Sequence, residues 1–272
     1  MIGPYLGLVV SPLAAEKLFS IGPLPITNSM IFGLAAAMFT LLLFALAARW
    51  SQLYPKSRLA YWTELLVDGI YSIAIDSFGG DRKAALKHLP LLVTLFTFIF
   101  IGNLSGLLPG VGTVNAQVGG EEVPLLRAFT TDLNATLAMA ILTIGLVQFY
   151  AIRELGIVGH LKHYFSDKPW LPVNFFIGFN EVFSELLRIV TLSMRLFGVI
   201  YAGEVLISAI GALAGNFAPI ATLPAVMLEL FFSGVQAYIF MMLTATYLSI
   251  ATANAGSHEG KSSQGAEPLA AT

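Results

Sequence analysis

Four residues in the C-terminal half carry chemistry that their surroundings disfavour. Arg195, Glu204, Glu229 and Gln236 lie within two long apolar runs, 173–213 and 219–253. An arginine at the centre of a membrane span costs about 2.5–3.5 kcal/mol to insert, so such a residue faces protein or water rather than lipid. At about 100° per residue, Glu181, Ser184, Arg188, Thr191 and Arg195 share one stripe of a helix. Glu204 follows Arg195 by nine residues and points about 180° away from it. Glu229 and Gln236 are seven apart and share a face of the next helix. In an antiparallel hairpin, Glu229 approaches Glu204 while Gln236 falls near the depth of Arg195. Along the helix axis Glu204 lies about 13 Å from Arg195 toward one surface, and Glu181 about 21 Å toward the other. Acids on one side, a polar track on the other and a fixed cation between them describe two access paths for an ion.

These residues need a membrane to make sense, and the composition supplies one. Of 272 residues, 57% are hydrophobic and 11% charged, with mean hydropathy +0.80; soluble domains run near half apolar and a quarter charged. The excess is arranged in blocks, which predicts an all-α integral membrane protein with one membrane domain over 27–253. Residues 1–26 form an outer N-terminal segment, and 254–272, small and polar, a disordered cytoplasmic tail. The N-terminus has no basic stretch ahead of its apolar residues and does not resemble a signal peptide. The net charge of −2 gives no electrostatic case for nucleic acid. There is no cysteine, Walker A loop, GxGxxG or HExxH, so no cofactor, metal or bound nucleotide is expected. His88, His160, His163 and His258 read as surface residues.

Five spans are expected, at about 27–48, 89–108, 133–152, 173–213 and 219–253. Between the first two, 58–78 carries Glu64, Asp68, Ser72 and Asp76 at every fourth position, the mark of an interfacial amphipathic helix. GGDRKAALKH reads as a break after it. The last two runs are long enough for about 60 Å and about 50 Å of helix, against a hydrocarbon core of about 30 Å. They must tilt steeply, joined by the short GALAGNFAP turn. Arg49, Lys56, Arg58, Arg82, Lys83, Lys87, Arg153, Lys162 and Lys168 fall on one side, predicting a cytoplasmic C-terminus and an external N-terminus.

The motifs then carry a resemblance. "LPLLVTLFTFIFIGNLSGLLPG", "TTDLNATLAMA", "LSMRLFGVIYAGE" and "QAYIFMMLTATYLSIA", in that order, make the chain similar to subunit a of the membrane sector of F-type ATP synthases. The resemblance implies a bacterial inner-membrane stator subunit that performs no catalysis itself. Its last two helices would lie beside a ring of c subunits, and its partners would include peripheral-stalk b subunits and the remainder of the synthase. It assigns the essential arginine to Arg195, the outer-channel acid to Glu204, its exchangeable partner to Glu229 and a motif glutamine to Gln236. Glu181, Ser184, Arg188, Thr191 and Asn134 are secondary channel candidates. Val199 stands where the family's RLFGN motif has asparagine. A permanently charged guanidinium would favour ionisation of a ring carboxylate arriving beside it, so the ion leaves before the arginine and is replaced after it.

Structural alternatives exist for each residue. Arg195 could pair with Glu181, Glu185 or a lipid headgroup; Glu204 and Glu229 could form a structural hydrogen-bonded pair. Gln236 could bridge helices, and the stripe from Glu181 to Thr191 could be a solvated face. Glu185 and Arg188 have ion-pair spacing, while Asn103, Asp132 and Asn134 suit helix capping or bridging. At the level of function, the alternatives are a self-contained cation/proton antiporter or channel, and a non-transporting membrane scaffold.

Overall fold

Where the helices break is decided by a few backbone-permissive residues. Gly79 (φ 62°) and Gly80 (φ 91°) take left-handed conformations that side chains disfavour, and they separate α2 (Arg58–Ser77) from α3 (Arg82–Gly106). Asp81 then caps α3, its Oδ1 accepting from the backbone N–H groups of Lys83 (2.9 Å) and Ala84 (3.2 Å). The break is therefore confined to the glycine pair. The charged RKAALKH that follows is helix, which corrects its reading as interruption.

The computed structural model describes residues 15, 17–21, 24–50, 58–108, 111, 115–118, 121–124, 127–165 and 172–264. A short antiparallel hairpin, β1 (Lys17–Ile21) with β2 (Leu24–Thr27), leads into α1 (Asn28–Trp50). A second, β3 (Asn115–Val118) with β4 (Glu121–Pro124), lies between α3 and α4. Both are small additions to an otherwise helical molecule. Helix α4 (Leu133–Phe165) is interrupted at Gly156 (φ 72°, ψ 160°), just beyond its apolar stretch. Helix α5 (Pro172–Ala214) leads through a 3-10 turn (Gly215–Phe217) and α6 (Ala218–Ala221) into α7 (Leu223–Gln264). After Pro224 in its first turn no proline interrupts α7, which runs past 253 to Gln264, into the segment expected as a disordered tail.

Among the described residues, five helices are long and apolar enough to cross a membrane: Asn28–Arg49, Arg82–Gly106, Leu133–Glu154, Gly178–Ala221 and Leu223–Thr252. The chain is an integral membrane protein. Helix α2 turns its polar stripe outward, Glu64, Asp68, Ser72 and Asp76 all being exposed, and buries Ile70 and Ala74. These pack with Leu92 and Val93 of α3 and Met241 and Ala245 of α7. A second core joins Leu95 and Ile99 of α3, Ala140 of α4, Leu192 and Leu196 of α5, and Ala237 and Phe240 of α7. Helix α7 is thus the shared wall between the two cores. By contrast α1 exposes Leu34, Met38, Leu41 and Leu42, a surface suited to lipid.

The segment ahead of α4, expected as polar loop, is buried from Arg127 to Asp132. Phe129 lies over two glycines: a Cβ at Gly33 would fall 3.2 Å from its Cβ, and one at Gly102 would enter its ring. The Arg127 guanidinium donates to Thr131 O (3.0 Å) and Oγ1 (3.3 Å). Asp132 accepts from Ser29 Oγ through Oδ2 (2.7 Å) and from the Asn134 backbone N–H through Oδ1 (3.0 Å), which ties α1 to the start of α4. The residue types for capping were legible; the burial of Arg127 was not.

Candidate functional site

Helices α5 and α7 meet along the site, joined at one end by the 3-10 turn and α6. Burial sorts the four principal residues. Arg195 is exposed, although its neighbours Leu192 and Leu196 are at most 2% exposed. Among the described residues it makes no side-chain hydrogen bond or ion pair, so Glu181 and Glu185, the partners of the alternative structural reading, do not hold it. Gly198, Ala202 and Leu206 continue the same exposed stripe toward the hairpin turn. Glu204, on the other side of α5, is half-buried with Oε2 inside the protein.

Glu229 crosses the gap between the helices. It is 6% exposed, and Glu204 acts electrostatically on its carboxyl group. The crossing depends on Gly203. A Cβ at that position would lie 2.7 Å from Glu229 Oε1 and closer still to Oε2 and Cδ, so any side chain there would displace the carboxylate. Above this contact opens a cavity of about 350 Å³, lined by Gly198, Val199, Ala202, Gly203, Leu228 and Glu229 among others. Its walls are apolar apart from the carboxylate. Since Gly198 and Ala202 belong to the Arg195 stripe, the cavity opens on that face, placing Glu229 between Glu204 and the surface that Arg195 presents. Gln236, two turns further along α7, is 3% exposed and makes no hydrogen bond to Arg195.

The secondary candidates separate into different environments. Arg188 stacks over Tyr247 of α7, 4.8 Å from the ring centroid, and lies 3.8 Å from Glu185. Gln148 of α4 donates to Glu185, so this group ties α4, α5 and α7 together. Thr191 bonds back to Arg188 O at 3.2 Å. Glu181 and Ser184 are half-buried, and Asn134 is exposed at the start of α4. Asn103, read as a bridging residue, does bridge: its Nδ2 donates to Ser233 O at 3.4 Å.

His88 overturns its surface assignment. It is 1% exposed, stacked on Phe78 (5.5 Å) and edge-on to Tyr150 (4.9 Å), with Nε2 3.3 Å from Glu154 Oε1. Lys87 Nζ reaches the same oxygen at 2.6 Å. Two aromatic rings from distant positions enclose the imidazole, and no local pattern announces that. The side chains of His160, His163 and His258 lie outside the described residues. Gly203 was also missed; its signal is a small residue directly before a buried acid.

An exposed arginine and two interacting acids lie on a membrane helical hairpin, and the sequence pattern of the family described as ATP synthase A chain matches residues 29–249. The chain belongs to the ATP synthase A chain family. It is 30% identical over 234 residues to ATP synthase subunit a of Moorella thermoacetica, covering 86% of this chain and 94% of that protein. It is 34% identical over 243 residues to ATP synthase subunit a 2 of Bradyrhizobium sp., covering 89% and 96%. Against ATP synthase subunit a of Shewanella pealeana the identity is 34% over 230 residues, covering 82% and 81%. The region matching the ATP synthase A chain pattern contains all four principal residues and the glycine that admits Glu229.

Proposed function

We propose that the chain is the non-catalytic stator subunit of a rotary ATP synthase, conducting protons through two offset half-channels to and from a ring of c subunits. The observation that carries this reading is the pairing of an exposed, unpartnered Arg195 with the half-buried Glu204 and the buried Glu229, set off toward the hairpin turn. The ring faces Arg195, and the b subunits of the peripheral stalk hold the chain against it. The hairpin turn lies on the external side, with the N-terminus; the C-terminus is cytoplasmic, in the inner membrane of a bacterium.

Protons enter on the turn side and reach Glu204. From Glu229, bordering the cavity on the Arg195 face, they pass on toward a ring carboxylate. Rotation carries that carboxyl group round the ring until it approaches Arg195 from the other side. The guanidinium stays charged at any working pH, and an opposite charge nearby favours the ionised carboxylate. The proton leaves by the cytoplasmic path, along the stripe of Glu181, Ser184, Arg188 and Thr191. Moving one charge through 100 mV yields about 2.3 kcal/mol, and this biases the direction of rotation. ATP chemistry takes place on other subunits.

The test is proton flux and ATP synthesis in vesicles containing fully assembled Arg195→Ala complexes. The expected result is loss of synthesis and of ATP-driven pumping, with passive proton passage retained or increased. Near-normal synthesis would overturn the reading.

A further inference from the structure

Along α7, Glu229, Ser233 and Gln236 are four and three residues apart and occupy one face. They are 6%, 0% and 3% exposed, yet each holds a buried polar atom with no hydrogen-bond partner: Glu229 Oε2, Ser233 Oγ and Gln236 Nε2. Asn103 faces them from α3. It is 1% exposed; its Nδ2 makes a long bond to Ser233 O, and its Oδ1 is likewise unpartnered.

Ser233 differs from the threonines of its helix. Thr244, Thr246 and Thr252 satisfy themselves by donating to the carbonyl four residues back, at 2.8, 2.9 and 2.8 Å. That bond is the usual refuge of a buried helical hydroxyl. Ser233 does not use it. Helix-bridging alone leaves this pattern unexplained, because the bridge employs the Ser233 carbonyl and not its hydroxyl. Four buried polar atoms without protein partners in one patch call for water, which satisfies groups of this kind in protein interiors.

We propose that Ser233 is a proton-relay residue in a hydrated cleft between α3 and α7, carrying the outer path from Glu229 inward to Gln236. This rests on the proton-conducting reading given above. A hydroxyl suits the task because it accepts a proton from one neighbour as it releases its own to the next. The O–H bond formed replaces the O–H bond broken, and Ser233 ends neutral. The carboxamides of Asn103 and Gln236 each offer a donor and an acceptor, and they orient water without carrying the proton themselves.

The experiment uses assembled complexes in vesicles, in a background where other subunits carry no accessible thiol. This chain has no cysteine, so Ser233→Cys introduces its only thiol. Silver ion added from the external side should inhibit proton flux in Ser233→Cys complexes and leave the parent unaffected. Ser233→Ala should lower proton flux by about tenfold or more, the weight of a positioned proton-transfer group, while Ser233→Thr retains most of it. Full flux in assembled Ser233→Ala complexes, or a Ser233→Cys thiol inert to silver, overturns the proposal. If Ser233→Ala fails to assemble, the silver result decides. Should Arg195→Ala abolish synthesis while both Ser233 results are negative, only the cleft is refuted. If Arg195→Ala complexes still synthesise ATP, the parent reading falls instead.

Discussion

The carboxylate of Glu229 rests on Gly203, the one place where α5 offers no side chain beside Glu204. This contact makes the acid's position depend on a missing methyl group. Gly203→Ala should push the carboxylate away, and a displacement of about 1 Å at a reacting group can cost on the order of a hundredfold in rate. Proton flux in assembled complexes should fall steeply. Adding Glu229→Asp withdraws the carboxylate by one methylene and should restore part of the loss. A double variant no better than Gly203→Ala would show that the contact does not govern the path.

The His88 cluster yields a prediction of the opposite kind. Its imidazole fills the space between Phe78 and Tyr150 and meets Glu154, away from the acids of the hairpin. Truncating a buried ring costs about 3–5 kcal/mol, so His88→Ala should markedly lower the thermal stability of the solubilised complex. His88→Phe keeps the ring and loses only the contact to Glu154, at a cost of about 1 kcal/mol. Complexes that do assemble should keep their ratio of protons moved to ATP made. A changed ratio would place His88 in the ion path.

These two sites also mark how far the sequence was legible. The apolar runs announced all five long helices, because lipid-facing helices need no neighbour to justify their hydrophobicity. The four-residue spacing of Glu64, Asp68, Ser72 and Asp76 likewise predicted the exposed stripe of α2, since an amphipathic helix records its environment locally. The start of α3 was misread because charge density was taken for a break, when Asp81 caps a helix that begins among those charges. His88, Arg127 and Gly203 were illegible for a common reason. Each owes its role to residues distant in the chain: Phe78 and Tyr150 for the imidazole, the packing of the pre-α4 segment for Arg127, and Glu229 for the glycine. For the principal site, residue type and periodicity singled out Arg195, Glu204, Glu229 and Gln236, but only packing puts Glu229 beside the Arg195 face.

Membrane orientation is a separate prediction, motivated by the basic residues gathered after the first and third spans. Single cysteines replacing Asn115 and Lys162 in the otherwise cysteine-free chain should react with an impermeant thiol reagent from opposite sides of the membrane. Asn115 should label from outside in intact cells, and Lys162 only in inverted vesicles. Labelling of both from the same side would refute the proposed topology.

The last prediction concerns the two acids together. Glu204 acts electrostatically on Glu229, and the Gly203 contact brings Glu229 against the segment of α5 that carries Glu204. Groups in such contact can share protons as a unit rather than act as independent sites. Glu204→Gln and Glu229→Gln should each slow proton entry without opening a leak, because Arg195 remains in place. Combined, they should not add: once one member has broken the relay, removing the second costs little more. Residues in contact commonly show coupling energies of about 0.5–3 kcal/mol, equivalent to a roughly 2- to 150-fold departure from additive rates. The measurement is ATP-driven proton pumping by the parent, both single variants and the double variant, at matched complex content. Losses that multiply independently would mean that the two carboxylates act at separate steps, and the relay from Glu204 to Glu229 would have to be abandoned.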